Sequence, residues 1–204
     1  MPPTSGLRER KKRDRRRRIE DVAIDLFVRQ GYDATTIEQI AAAADIAPRT
    51  FFSYFATKDD LVLADYTDRL DRIVAELERR PDHEPAWDAL SASFAAVASD
   101  YTTEVDRLSS RFTIMATAPS VYARSLQLQA GWEQTLSEHL TARLAAQADD
   151  PTPRLLAAAA LAVMRASLQH WLTGDRSVPL PALVERAFDR LGDGLRQDPP
   201  LEGK

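Results

Sequence analysis

The chain has 204 residues, 27 Lys+Arg against 31 Asp+Glu, 44% hydrophobic residues and no Cys, a composition typical of a soluble globular protein. The missing Cys excludes disulfides, thiolate metal sites and Cys nucleophiles. His83, His139 and His170 stand too far apart in sequence for an i, i+4 ligand pair.

The longest apolar run, Leu155 to Met164, has ten residues, about half of what crossing a bilayer takes. The N-terminus is too charged for a secretory signal, so a soluble cytoplasmic protein with no membrane partner is expected. The net charge of −4 hides an asymmetry: residues 7–18, LRERKKRDRRRR, carry nine basic and two acidic side chains, leaving an acidic remainder. A cationic arm on an acidic body suits a polyanion, although a solvated tail is an equally ordinary use of such a run.

Helical punctuation runs the length of the chain, and no strand pattern stands out. Ile19, Val22, Ala23, Leu26 and Phe27 recur at helical spacing up to Gly31. Thr35 with Glu38 predicts a capping box for a helix from Thr36 to Ala44. Asp45-Ile46-Ala47 makes a three-residue break, and Pro48 suits the first position of a brief, aromatic-rich helix to Phe55. Thr57-Lys58-Asp59-Asp60 opens a single long helix that ends before Pro81. Further helices are expected from Pro85 to Thr102, Glu104 to Ala118, Ser120 to Ala148, Pro153 to Thr173 and Pro181 to Leu195. The fold class is therefore all-α with about nine helices. Its expected parts are a basic arm over 1–18, a head over 19–65 and a helical body over 66–204.

Two short helices parted by three residues have the layout of a helix-turn-helix, whose second helix enters the major groove. The residues carry more than the spacing. Ala23, Leu26-Phe27, Gly31-Tyr32, Thr35-Thr36-Ile37, Ile40-Ala41, Ala44, Ile46-Ala47, Thr50-Phe51-Phe52, Tyr54-Phe55, Lys58 and Leu61 together resemble the DNA-binding head of the TetR family of bacterial transcriptional regulators. Three positions depart from that pattern. Asp45 stands where Gly is usual, Ala47 lacks the usual capping hydroxyl, and Phe52 replaces a Tyr.

The resemblance implies roles. Thr36 resembles the family's phosphate-positioning Thr, offering its amide and hydroxyl, and Tyr54 and Lys58 match phosphate anchors. Arg49 and Thr50 stand where side chains reach base edges, with a plain phosphate contact as the alternative for Arg49. Phe52 suits a thymine methyl or a sugar, whereas Phe51 and Phe55 are expected in the core. The stretch from Ile19 to Lys58 has only three basic side chains against six acidic ones. Arg15, Arg16, Arg17 and Arg18 are therefore expected to supply the attraction, in or along the minor groove.

The resemblance also implies a homodimer on a palindromic operator, joined by the last two helices as a four-helix bundle. For the nearly all-apolar Pro153–Thr173 segment, the core helix of a monomer is the alternative. An apolar effector pocket is implied among Trp87, Phe94, Tyr101, Phe112, Met115, Tyr122 and Trp132, residues that plain core packing explains as well. Arg107, Arg111, Arg124 and His170 are candidates to meet an anionic ligand, with solvated surface as the equal alternative. The run Pro48-Arg49-Thr50-Phe51-Phe52-Ser53-Tyr54-Phe55 and the basic arm are similar to actinobacterial regulators related to the mycofactocin-system repressor. That implies a lipid-like or acyl-CoA effector. No phosphate loop, nucleophile elbow or metal cluster suggests an enzyme or a cofactor. The competing class is a helical protein-interaction module that has lost sequence-specific DNA binding.

Overall fold

The computed structural model describes residues 4–102, 104–147 and 149–194. It contains ten helices and no strand among the described residues: α1 (Thr4–Gln30), α2 (Ile37–Ala43), α3 (Pro48–Phe51), α4 (Lys58–Val62), α5 (Asp65–Arg79), α6 (Ala86–Tyr101), α7 (Val105–Thr117), α8 (Pro119–Leu144), α9 (Thr152–Thr173) and α10 (Leu180–Gly192). The chain divides into two compact units, one of residues up to Asp68 with Val105–Leu128, the other of Arg69–Glu104 with residues from Gln129 onward. Residues 105–128 thus share the first compact unit with the residues up to Asp68.

In the first unit, Ile19, Ala23 and Phe27 of α1 face Ile40 and Ala44 of the second helix segment and Phe51 and Phe55 of the third. Ile114 of α7, Val121 of α8 and Ala118 between them close the same core. Gly31 ends α1 at φ +90°, a conformation that a side chain would oppose. The expected capping box exists but lies one residue on. Thr36 is the N-cap, and Gln39, not Glu38, completes the reciprocal pair. Thr35 is buried instead, its hydroxyl donating to the Gly31 carbonyl at 2.7 Å.

Two further expectations are corrected. The single helix after Thr57 breaks into α4 and α5. Leu61, Val62, Leu63 and Ala64 are all buried, and a straight surface helix cannot bury four consecutive side chains on one face. The third helix holds only Pro48–Phe51, and backbone bonds from Ser53 to Thr50 and from Tyr54 to Phe51 continue it as tighter turns. Ala47 supplies no side-chain cap, so burial of Phe51 and Phe55 holds the segment in place.

In the second unit, α6 buries Ala89, Leu90, Phe94, Val97 and Ala98 against α9 and α10. From α10, Leu180, Val184 and Phe188 answer at i, i+4, i+8. Trp87 donates its indole N–H to the Phe188 carbonyl at 3.0 Å, with the two rings 4.7 Å apart. Gly192 eases this approach, since a Cβ there would lie 3.0 Å from the Trp87 indole nitrogen and the ring would have to shift by a few tenths of an ångström. By length and composition α9 is long and apolar enough to cross a membrane, which its ten-residue apolar run did not suggest. Here it buries Ala157, Ala160, Val163, Met164, Ser167 and Trp171 in the unit's core.

Candidate DNA interface

The basic arm is no separate segment: from Thr4 onward it forms the first turns of α1. Arg and Lys are good helix formers, and neither Gly nor Pro interrupts residues 7–30. The first turn has no acidic residue, so cations crowd a helix N-terminus that itself favours negative charge. A nearby polyanion relieves that repulsion.

Helical geometry sorts the arginines. Lys11, Lys12, Asp14, Arg15 and Arg18 of α1 line a concave groove of about 640 Å³ together with Ala44, Asp45 and Tyr54 of the helix-turn-helix. Arg17 is exposed. Arg16 turns the other way: its Nε donates to Glu20 at 3.2 Å and its Nη2 to the Ala64 carbonyl at 3.4 Å. Its guanidinium also lies over the Phe55 ring at 5.3 Å. Arg16 is thus bonded within the protein, and its side chain remains part-exposed. Lys11 enters the site through the i, i+4, i+7 pattern it makes with Arg15 and Arg18, and Lys12 through its i, i+3 relation to Arg15, legible only once the arm is known to be helical.

At the turn, Asp45 adopts φ 57°, the left-handed conformation that Gly would take without cost and that Asp tolerates. The Ile46 amide donates to the Ala41 carbonyl at 2.9 Å, which closes the turn. Phe51 is 0% exposed and Phe55 3%, whereas Phe52 is 57% exposed. Arg49 is exposed and Thr50 half-buried. The recognition segment is therefore pinned by two rings and presents Arg49 and Phe52 outward. Tyr54 is half-buried against the head core while lining the groove.

Thr36 is exposed, but its amide already donates to Gln39 Oε1 at 2.9 Å and its hydroxyl accepts from the Gln39 amide at 3.2 Å. Its hydroxyl proton stays available; the amide does not. Lys58 is also engaged within the fold. Its Nζ donates to the carbonyls of Tyr32 at 2.8 Å and Thr35 at 3.0 Å, and sits 4.1 Å from the Tyr32 ring centroid. The Tyr32 hydroxyl donates to Asp59, and burial holds this phenol above its usual pKa.

The residues named for an effector pocket divide between the units. In the second, Trp87 and Phe94 pack on Phe188, Tyr101 lies under the Arg69 guanidinium, and Trp132 is buried. In the first, Phe112 is half-buried, Met115 packs on the head core, and Tyr122 is 54% exposed. The expected anion-binding arginines have carboxylate partners. Arg107 and Arg111 bond Glu20, and Arg124 bonds Asp60 at 3.0 Å.

Residues 19–64 match the family described as bacterial regulatory proteins, tetR family, and residues 84–196 match the MftR C-terminal domain. The chain is 32% identical over 177 residues to a Mycobacterium tuberculosis protein named as the mycofactocin biosynthesis transcriptional regulator MftR, covering 87% of this chain and 89% of that protein. It is also 32% identical over 206 residues to the HTH-type transcriptional regulator TcmR of Streptomyces glaucescens, covering 97% and 91%. The transcriptional regulator FadR of Bacillus subtilis, crystallised in complex with stearoyl-CoA, shares the fold with a TM-score of 0.60 at 17% identity, covering 87% of this chain and 98% of that one. With its helix-turn-helix in register and both halves matched, this chain belongs to the tetR family of DNA-binding transcriptional regulators, a non-enzymatic class.

Proposed function

We propose that the protein is a cytoplasmic homodimeric repressor that grips a palindromic operator and releases it when an acyl-chain effector binds. One observation carries the DNA side: Arg49 and Phe52 are exposed on the recognition segment, whose Tyr54 shares a groove with Lys11, Lys12, Arg15 and Arg18. Arg49 and Thr50 read base edges, Phe52 packs on a thymine methyl or sugar, and Thr36 and Tyr54 position phosphates. Lys58 reaches a phosphate only with the N–H left over from its two carbonyls. Because the arm is a helix with one face on the groove, its cations follow the phosphate backbone rather than threading the minor groove. The arm with the helix-turn-helix forms the DNA-binding part, and the body beyond residue 65 receives the effector and dimerises.

Pairing through α9 and α10 is supported by apolar side chains that the chain itself leaves uncovered. Leu155 is 65% exposed. Ala162 and Ala166 continue that stripe, and Leu183, Ala187 and Leu191 of α10 stay partly exposed at i, i+4, i+8. Such faces suit a symmetric helical bundle. One head reads only a few base pairs, and a two-fold dimer doubles the site on a palindrome. An acyl-CoA effector is supported by the stearoyl-CoA bound to the Bacillus subtilis neighbour and by the aromatic residues of the second unit. The effector need favour the non-binding state by only ~1–3 kcal/mol to change occupancy.

Selection of duplexes from random DNA by the purified chain, followed by titration at two salt concentrations, tests this reading. An inverted repeat with sequence-selective retention is expected, with release on adding stearoyl-CoA. Sequence-blind binding that vanishes with salt refutes the DNA reading, and a complex indifferent to stearoyl-CoA refutes the effector class.

A further inference from the structure

Glu20 is a carboxylate buried to 5% exposure on α1, where a surface helix would ordinarily carry a solvated acid. Three guanidinium groups converge on it. Arg16 of the same helix donates to Oε1 at 3.2 Å, and Arg111 and Arg107 of α7 donate to Oε2 at 3.0 and 2.5 Å. Arg111 is itself buried, and its other terminal nitrogen bonds Asp65, the first residue of α5. Arg107 also approaches Asp21 at 3.4 Å. Arg16 in turn reaches Ala64 and lies over Phe55, at the end of the recognition segment. One carboxylate therefore ties α1, α7 and the α4–α5 junction together.

The cluster is poorly explained as a source of stability. Burial outweighs the pull of Arg111 and lifts the Glu20 carboxyl above the usual carboxylate range, and the Nε atoms of both Arg107 and Arg111 are buried without a hydrogen-bond partner. A buried ion pair is weak evidence of stabilisation, because desolvating both charges offsets their attraction. Only one α1 turn separates Arg16 from Lys12, and Arg15 and Arg18 of the groove lie one and two positions from Arg16 in sequence.

We propose that Glu20 and Arg111 are positioning residues for DNA binding: the bonds from α7 to Glu20, with Arg16 held on the Ala64 carbonyl, set the rotation of α1 that aims Lys11, Arg15 and Arg18 into the groove. The same bonds give α7 leverage over the arm, because a shift of Arg107 and Arg111 changes what Glu20 can hold. The inference rests on the groove as the seat of DNA phosphates, and a double-variant comparison separates the two ideas.

Binding to the selected duplex is measured across salt concentrations for the full chain, R111Q, K11A/R15A/R18A and their combination, with active fraction titrated in each. R111Q is expected to weaken binding roughly tenfold, within the range for coupled neighbours, and to lower the salt slope as the triple variant does. In the triple background it is expected to cost nothing further. Equal weakening in both backgrounds, or an unchanged slope, overturns the positioning role. A triple variant that binds like the wild type overturns the groove and this inference with it. R107Q, at the more exposed α7 guanidinium, gives the same pattern at smaller amplitude and decides the matter if R111Q fails to fold.

Discussion

Replacing Lys58 with Met separates a tether from a phosphate anchor. Met keeps the apolar stem over Tyr32 but deletes the ammonium, which leaves the Tyr32 and Thr35 carbonyls without their donors at 2.8 and 3.0 Å. A hydrogen bond from a charged donor contributes ~1.5–3 kcal/mol, and the cation over the Tyr32 ring adds ~0.5–1 kcal/mol. Lys58 is half-buried, so water compensates part of this, and a net loss of about 2 kcal/mol is expected. Trp87, Trp132 and Trp171 all lie in the second unit, so tryptophan fluorescence would miss the lesion. Hydrogen exchange of peptides covering residues 31–39 reports it directly. At tenfold per 1.4 kcal/mol, their protected amides should exchange about 30-fold faster. The salt slope of DNA binding by the folded fraction should fall by less than the ~0.9 expected when a cation that neutralises one phosphate is removed. Unchanged exchange with a full drop in slope would mean that Lys58 serves DNA alone.

The other expectations concern the groove, the recognition segment and the buried acid. Deleting residues 1–14, or converting Arg15 and Arg18 to Ala, should weaken binding alike on specific and random duplexes. The salt slope should fall by about 0.9 for each phosphate no longer neutralised, read by fluorescence anisotropy. Arg49→Ala should instead cost ~1–3 kcal/mol at one base pair and relax preference there, checked by repeating the selection. Asp45→Gly should relieve the φ 57° strain and remove an acid from the groove wall. Tighter binding and no loss of thermal stability are expected. Because the Glu20 carboxyl is raised in the fold, its protonated form is favoured there, and its contribution falls as pH rises through the folded pKa. The stability of E20Q relative to wild type, followed by head-peptide hydrogen exchange, should therefore improve as pH climbs from acid to neutral.

Much of the head was legible because its signals are local. The spacing of Ile19, Ala23 and Phe27, the stop at Gly31, the left-handed Asp45 and the inward Phe51 and Phe55 each follow from a few neighbouring residues. Capping was legible only to within a residue: Thr35/Glu38 and Thr36/Gln39 both satisfy the pattern, and burial of Thr35 against Gly31 decided between them. The break at Leu63 was hidden because a run of four apolar residues fits helix periodicity until its surroundings are known. The groove was half legible. Its cations are conspicuous, but which of them face it depends on the arm being helical.

Sequence alone determined the all-helical class, the helix-turn-helix and the family, since hydrophobic period, turn residues and local motifs are short-range properties. Tertiary structure alone decided that Arg16 bonds Glu20 and the Ala64 carbonyl, that Lys58 is held by backbone carbonyls, and that Arg107 and Arg111 converge on Glu20. Those outcomes depend on partners as many as 91 positions away. A charged side chain is chemically the same in sequence whether water, phosphate or a buried carboxylate receives it. Only the packed chain brings its acceptor within reach.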